Sequence, residues 1–190
     1  MGRIDELIQR YCPEGVEWVH LSDFCDIKTG KGITKKDSDN NGGFPIISGG
    51  VSPMGYYHTY NREGNTITIS RVGANAGLVS YIDRRFYLND KCFSVIPSIK
   101  TNIKFLYYIL SAREKEIKGM QSEGGVPTIN TRKVGSIEIP LPPLPVQEEI
   151  VRILDTFTSL QAELQAELQA RQQQYQYYRD QLLTFKRKEA

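Results

Sequence analysis

The sequence predicts an α+β fold, in which a twisted, irregular and mostly antiparallel sheet with short helices precedes one long coiled-coil helix. Three observations favour this class. Short apolar segments separated by turn residues recur from Phe44 onward, an amphipathic pattern covers 102–120, and a regular apolar spacing runs from Ile150 to Phe185. We place the boundary after residue 144, with a globular domain at 1–144 and a helix at 145–190.

Composition excludes several classes of protein. Charged residues make up 24% and hydrophobic residues 39% of the 190 residues, which is typical of a folded, soluble chain. No apolar run approaches the ~20 residues that a membrane span requires. The three cysteines are odd in number and lack CxxC spacing, so we expect reduced thiols in a cytoplasmic protein. Neither His20 nor His58 lies near a pair of cysteines, and we expect no metal.

The first elements are short. A helix is predicted at Asp5–Tyr11, ahead of Pro13 and Gly15. VEWVHL and FCDIKTG follow, and each suits a strand, or a brief helix between strands. The next 14 residues, GKGITKKDSDNNGG, are polar and predict a loop long enough to have a function.

Six strands are predicted after this loop, because β-forming residues alternate with clusters of turn residues. The segments are FPIIS, MGYYHTY, TITIS, GLVSYI, FYL and CFSVI. Their glycine-rich corners favour a twisted, irregular sheet over a doubly wound one.

The pattern then changes to helical at 102–120, where Ile103, Leu106 and Leu110 share one face and Thr101 or Asn102 would cap the helix. A second polar loop, QSEGGVPTINTRKVG, precedes one more strand, SIEIP. The prolines of PLPPLP, from Pro140 to Pro145, predict a stiff, extended connector to the last helix.

The last helix carries a narrow apolar stripe, which we call the helix stripe. It comprises Ile150, Leu154, Phe157, Leu160, Leu164, Leu168, Tyr175, Tyr178 and Leu182, and continues to Phe185. With Arg171 placed between Leu168 and Tyr175, the mean spacing is about 3.5 residues, the heptad value. The helix could fold back on its own domain, but the Gln, Glu and Arg residues beside the stripe favour pairing with another helix.

No catalytic motif is evident in the sequence. It has no GxGxxG motif opening a helix, P-loop, GxSxG or HExxH motif. Asp90 with Lys91, or Glu114 to Glu116, could be forced into a nuclease site, but charges on a helix surface explain the second group better. We therefore predict that the chain is not an enzyme.

The loops instead carry residue types that read DNA. Lysine and arginine bind phosphate, arginine or lysine binds guanine, asparagine binds adenine, and glycine permits close backbone approach. The candidate DNA-binding residues are Lys28, Lys31, Lys35, Lys36, Ser48, Gly49, Tyr56, Tyr57, Arg71, Asn75, Lys91, Thr128, Asn130, Arg132 and Lys133. Among them Arg71, Asn75 and Asn130 are the candidate base readers. The net charge of +2 is small, so any basic surface must be local.

Five segments in order resemble the specificity subunit of type I restriction–modification systems. They are FPIISGGVSPMGYYHTYN, NTITISRVGANAGLVSYI, FYLNDKCFSVIP, IEIPLPPLPVQEEIVRILD and ARQQQYQYYRDQLLTF. The resemblance covers nearly the whole chain and implies a target-recognition domain at 1–144. It implies that Pro140–Phe185 is a spacer and a docking surface for methyltransferase (modification) subunits.

The resemblance also implies the partners. These are double-stranded DNA, methyltransferase subunits that carry S-adenosylmethionine, and in some systems a restriction subunit; this chain itself needs no cofactor. Full-length members of the family have two recognition domains and two helices, whereas this chain has one of each. It therefore resembles either a half-length subunit, which would form a homodimer through its long helix, or a fragment of a longer subunit.

A hypothesis of a different class remains. The chain could be a non-enzymatic adaptor whose domain binds a protein or a glycan and whose coiled coil forms the dimer. Salt dependence distinguishes this hypothesis from DNA recognition, because binding through several DNA phosphates weakens steeply as the salt concentration rises.

Overall fold

The computed structural model describes residues 2–39, 42–122 and 124–186. The chain divides into two compact units, Met1–Glu149 and Ile150–Ala190. One continuous helix begins in the first unit and ends in the second. The sequence-based boundary at residue 144 stays a prediction. None of the described helices is long and apolar enough to cross a membrane.

Helices and strands alternate irregularly along the first unit. In chain order they are α1 (Arg3–Tyr11), β1 (Trp18–His20), α2 (Leu21–Phe24), β2 (Cys25–Thr29), β3 (Phe44–Ile47), β4 (Tyr56–Tyr57), β5 (Thr66–Ser70), β6 (Val79–Ile82), β7 (Tyr87–Leu88), β8 (Cys92–Pro97), α3 (Ile103–Ala112), α4 (Glu114–Gly119), α5 (Thr131–Gly135) and β9 (Glu138–Pro140). The last element, α6 (Leu144–Leu182), begins in this unit and ends in the second.

Within the described residues, the strands form three small sheets. The largest is antiparallel, in the order β2-β8-β5-β6, and Val95 of β8 lies between Ile27 and Ile67. A three-stranded sheet has the order β4-β3-β7, with β3 and β7 parallel, and β1 pairs with β9 antiparallel. The predicted α+β class with a mostly antiparallel, irregular sheet is confirmed, and its division into three sheets is a feature that strand patterns do not encode.

The core lies between the four-stranded sheet and α3. Ile67 and Ile69 of β5 and Leu106 and Leu110 of α3 have no exposed surface, and Val95 is 1% exposed. The helix packs on β5 and β6 through its apolar face. Because these residues come from elements that are far apart in sequence, their burial also fixes the strand order.

The other face of β5 and β8 is polar but also buried. Arg62 lies over it and donates from Nε to Ser94 Oγ at 2.8 Å and from Nη1 to Asn61 O at 2.8 Å. Ser94 Oγ in turn donates to Lys28 O at 3.2 Å. Burial lowers the pKa of the Arg62 guanidinium, but these hydrogen bonds offset part of its desolvation cost.

The helical pattern at 102–120 forms two helices, not one. Asn102 is the cap, and its Oδ1 accepts from Lys104 N at 3.0 Å and Phe105 N at 3.2 Å. The break falls at Arg113, whose guanidinium lies 5.3 Å from the centre of the Trp18 ring and donates to Glu138 O. Contacts with β1 and β9 therefore accompany the end of α3.

The second predicted polar loop ends in a helix, so that part of the loop prediction was wrong. Asn130 caps α5 through Oδ1, which accepts from Lys133 N at 2.9 Å, and Val134 is fully buried. The first polar loop contains a short 3-10 helix, Lys35–Asp37. Asn40, Asn41 and Glu123, which belong to these predicted loops, lie outside the described residues.

The start of α6 is held by a buried amide. Gln147 is 2% exposed; its Nε2 donates to Pro142 O at 2.7 Å, and its Oε1 accepts from Asn102 N at 2.9 Å. Glu149, 3% exposed, pairs with Arg3 Nε at 3.5 Å. The proline-rich connector before this helix is short, because β9 ends at Pro140 and α6 begins at Leu144.

Candidate nucleic-acid interface

Five loop segments meet at one end of the four-stranded sheet, and we call them the loop cluster. They are Gly30–Ile33, Ser48–Gly50, Arg71–Asn75, Asn89–Lys91 and Pro127–Asn130. The register explains their meeting, because Thr29 pairs with Phe93 and Ser70 with Cys92, so β2 and β5 end where β8 begins. Antiparallel pairing thus gathers segments that are about 100 residues apart.

Asn89 joins two of these segments to the end of β3 and is 1% exposed. Its Nδ2 donates to Ile33 O at 2.8 Å, its Oδ1 accepts from Lys91 N at 3.1 Å, and its backbone N donates to Ile47 O at 2.9 Å. Sequence analysis missed this residue, because an asparagine beside a strand resembles any other turn residue. The amide holds the lysine-bearing segments Gly30–Ile33 and Asn89–Lys91 in fixed relation.

Two glycines allow the backbones to approach closely. A Cβ atom at Gly30 would lie 2.2 Å from Leu88 O, and one at Gly49 would lie 2.9 Å from Val72 O. Both distances are shorter than a side chain tolerates, so the cluster requires glycine at these positions. Lys31 N donates to Leu88 O at 3.0 Å beside this contact.

The segment Arg71–Asn75 lies at the centre of the cluster. Arg71 N donates to Lys91 O at 2.9 Å, and Nη1 of the same residue donates to Asp90 O at 3.2 Å. Asn75 Nδ2 donates to Gly49 O at 3.0 Å, and Ile129 N donates to Arg71 O at 2.8 Å. Two of the candidate base readers therefore hold neighbouring loops, and their role toward DNA stays a prediction.

The structure brings together about half of the predicted DNA-binding residues. The loop cluster contains Lys31, Ser48, Gly49, Arg71, Asn75, Lys91, Thr128 and Asn130. Ser48 is buried, Thr128 Oγ1 is hydrogen-bonded with Ser122 Oγ at 2.8 Å, and Asn130 caps α5. These three positions thus have structural roles within the cluster.

The remaining predicted residues form separate groups. Lys35 and Lys36 are exposed on the 3-10 helix, which is joined to β4 by the hydrogen bond from Asp39 N to Tyr56 O at 2.8 Å. Tyr57 packs edge-on against Tyr87, with ring centres 4.8 Å apart.

Lys28 and the two cations of α5 lie elsewhere. Lys28 forms an ion pair with Asp26 on β2. Arg132 is exposed on α5, whereas Lys133 Nζ donates to Met120 O at 2.8 Å. The segment Gly125–Lys133 was interpreted as one loop, but Arg132 and Lys133 lie on α5.

The helix stripe is exposed over most of its length. Phe157, Leu164 and Tyr175 are 65–67% exposed, and Leu182 is 72% exposed. Ile150 and Leu154 are partly buried. Residues beside the stripe are polar. Arg171, which occupies the stripe position between Leu168 and Tyr175, pairs with Glu167 one turn away at 3.6 Å. A row of large apolar side chains this long is typical of an interaction surface.

Solved structures share this fold, a loop-rich α+β domain whose chain continues into a long helix. The crystal structure of the S subunit of a type I restriction–modification system from M. genitalium has this fold, with a TM-score of 0.72 and 21% identity over 84% of this chain and 44% of that one. A structure described as the basis of complex assembly and conformational transition of the type I system matches with a TM-score of 0.68 and 24% identity.

Sequence comparison identifies the particular family. Residues 13–171 match the type I restriction modification DNA specificity domain, and the chain belongs to this family. It is 34% identical over 169 residues to a putative type I specificity subunit of Mycoplasma pneumoniae and 32% identical over 191 residues to the EcoR124I/EcoR124II specificity subunit of Escherichia coli.

These matches cover 86% and 92% of this chain. The chain spans about half the length of these relatives, 46% in both cases. The relatives are specificity subunits, which confirms the prediction of a non-catalytic recognition component.

Proposed function

We propose that the chain is the sequence-specific DNA-recognition subunit of a type I restriction–modification enzyme. It directs methyltransferase subunits, and a restriction subunit where one exists, to a bipartite target in the cytoplasm. The observation that carries this proposal is the loop cluster, since five segments from distant parts of a specificity-domain chain form one surface.

The chemistry of the cluster fits DNA. Lys31 and Lys91 offer ammonium groups to phosphates, while Arg71 and Asn75 offer the donors that major-groove base edges accept. Asn89 and the close contacts of Gly30 and Gly49 fix the loops before DNA arrives, which lowers the ordering cost of binding. The lysines of the 3-10 helix extend the basic surface toward further phosphates.

Catalysis belongs to the partners in this proposal. The methyltransferase subunits bind S-adenosylmethionine and transfer its methyl group, and this chain holds no cofactor. The exposed helix stripe and the connector supply their docking surface. The isolated chain is expected to bind DNA weakly until these subunits close round the duplex, because a net charge of only +2 attracts DNA little.

Two copies form the working unit. The helix stripe has the heptad spacing of a coiled coil. The match to the Escherichia coli relative covers 46% of that relative, so its length would accommodate a second such chain. Antiparallel pairing of two α6 helices about a two-fold axis would place one recognition domain at each end. A closed two-fold interface makes the two half-sites inverted copies of each other.

Salt dependence tests DNA recognition against the adaptor hypothesis. The chain, assembled with its methyltransferase subunits, is titrated with duplex DNA carrying its target at 50 and 200 mM salt. Six or more phosphate contacts predict a loss of affinity of about 10³-fold or more over this range. Affinity that is independent of salt, or equal affinity for every sequence, would contradict the proposal.

A further inference from the structure

Arg171 interrupts the helix stripe near the middle of its exposed part. It occupies a stripe position between Leu168 and Tyr175, with apolar side chains on both sides of it along α6. Its side chain is 70% exposed, its Nη2 lies 3.6 Å from Glu167 Oε1, and its Nη1 donates to Gln174 Oε1 at 3.3 Å. Because Glu167 and Gln174 are one heptad apart, both flank the stripe on the same side, and the guanidinium lies along that flank.

The exposed part of the stripe has nearly the same spacing when it is read from either end. A second copy of the helix, reversed about the midpoint between Gln169 and Ala170, opposes the stripe positions in pairs, each aligned to within one residue. The opposed pairs are Phe157 with Leu182, Leu160 with Tyr178, Leu164 with Tyr175 and Leu168 with Arg171. An antiparallel second copy therefore covers the stripe along its whole exposed length.

The two halves of the stripe differ in chemistry, and this difference favours the antiparallel orientation. The half before the midpoint carries leucines and Phe157, whereas the half after it carries Arg171 and two tyrosines. A parallel copy in register would place Arg171 against Arg171, and like charges in contact are unfavourable. The antiparallel copy places each tyrosine against a leucine and Arg171 against Leu168.

The antiparallel copy also brings a carboxylate to Arg171. Glu167 of the second copy lies within one residue of the level of Arg171, or about 1.5 Å along the helix axis. A two-fold axis that relates antiparallel helices keeps each flank on its own side of the pair, so the flank that carries Glu167 faces the same flank of the second copy. The Arg171 guanidinium lies on this flank.

We infer that Arg171 sets the orientation and the register in which two copies of α6 pair. This inference rests on the proposed homodimer. In the pair, Arg171 lies against Leu168 of the second copy and forms an ion pair with Glu167 of that copy, on each side of the two-fold axis. A shift of one heptad would move this carboxylate about 10 Å away. A polar residue at a single contact position fixes register in this way, at a cost in stability.

Two charge-reversed variants test the contact between copies. Arg171→Glu gives each helix two carboxylates near the two-fold axis, and Glu167→Arg gives each helix two cations. Each variant alone is expected to dimerise about tenfold or more weakly than the wild type, because like charges then face each other. An equimolar mixture of the two is expected to recover the dimer. Mixing leaves the like-charge pair within each helix unchanged, so recovery arises only between copies. Sedimentation of the full chain measures the mass of each sample.

A charge on the far side of the helix provides the matched control. Asp180→Arg reverses an exposed charge about 200° round the helix from Tyr178 and should leave the dimer as strong as that of the wild type. A loss equal to that of Glu167→Arg would reveal a general effect of charge and overturn the inference.

Engineered cysteines report the orientation and register directly. A chain with Leu164→Cys and a chain with Tyr175→Cys are expected to form a disulfide with each other, because the two positions are opposed. Neither is expected to link to a copy of itself, since the same position recurs about 16 Å away along an antiparallel pair. The native cysteines Cys12, Cys25 and Cys92 are buried.

The outcomes distinguish this inference from the proposed homodimer. A mixture that stays as weak as its components, while the wild type dimerises, would overturn the role of Arg171 and leave the dimer in place. Self-linking of Tyr175→Cys would also overturn it, because that link requires a parallel pair. If the wild-type chain is a monomer, the proposed homodimer itself has failed, and the inference fails with it.

Discussion

A single buried amide organises the candidate interface at the residue scale. Asn89 is hydrogen-bonded to Ile33, Ile47 and Lys91, and so joins the segments Gly30–Ile33 and Asn89–Lys91 to the end of β3, although the three share no sequence pattern. Buried polar groups are costly when their partners are lost. The position of the lysines on the surface therefore depends on a residue that DNA need not touch.

Replacing Asn89 tests this role. Asn89→Ala should lower the free energy of unfolding by about 1–3 kcal/mol, because it leaves Ile33 O and Lys91 N without their side-chain partner. Asn75→Ala is the matched control, since that side chain donates one bond, to Gly49 O, and should cost less. Urea unfolding measures both, and equal losses would contradict the assigned role of Asn89.

Phosphate and base contacts separate by their effect on sequence preference. Lys36→Ala should weaken binding of all DNA sequences about equally, because an exposed lysine on the 3-10 helix can reach phosphate. Arg71→Ala should cost about 1–3 kcal/mol on the target and relax one base position. The affinity of each variant for a panel of DNA targets with single-base changes distinguishes the two kinds of contact. An equal loss on every sequence would show that Arg71 contacts phosphate and not a base.

The residue types of the interface were predictable, and their hydrogen bonds were not. Lysines and glycines in polar loops suggested DNA contacts at Lys31, Gly49 and Lys91, and these residues do lie together. The internal bonds of Arg71 and Asn75 depend on partners 19 and 26 residues away. Local sequence carries no signal for such partners, because the strand register sets them.

At the scale of elements, sequence periodicity is informative only where an element is long enough. The 39-residue α6 contains nine steps of its apolar spacing, from Ile150 to Leu182, and so was predicted, although it ends at Leu182 and Phe185 lies beyond it. The five-residue α5 has too few residues to show a period, so its segment was interpreted as a loop. The end of α3 at Arg113 coincides with contacts to Trp18 and Glu138, which a local pattern does not contain.

The helix stripe identifies the positions at which an added charge should prevent the proposed dimer from forming. Leu164→Asp places a charge in the stripe and should convert the proposed dimer to a monomer, because burying an unpaired carboxylate is strongly unfavourable. Ala166→Asp places the same charge about 200° round the helix and should leave the dimer intact. Sedimentation or light scattering gives the mass. Two variants with the same mass would show that the stripe is not the dimer contact.

The whole molecule is proposed to use α6 as a spacer between two recognition domains. Deleting seven residues, 161–167, keeps the heptad register and shortens an antiparallel pair by about 10 Å. The gap between half-sites should then shrink by about three base pairs, with both half-sites unchanged. Substituting Gln161→Ala keeps the length and serves as the control. An unchanged gap in a complex that still assembles would contradict the spacer role.

The family and the fold of one copy could be predicted from sequence, whereas the assembly could not. The ordered segments from Phe44 to Phe185 identified the family that residues 13–171 match. Pairing of copies depends on contacts between two chains, and a heptad spacing gives the contact face without giving the orientation of the partner. The symmetry of the DNA target reports that orientation directly.

Mapping of methylated sites in the DNA of cells that carry this chain, its methyltransferase subunits and no other methylating system therefore tests the central claim most directly. Two identical recognition domains related by a two-fold axis predict one interrupted palindrome, with identical half-sites in inverted orientation and a constant gap. Two different half-sites, or a single uninterrupted site, would contradict the account.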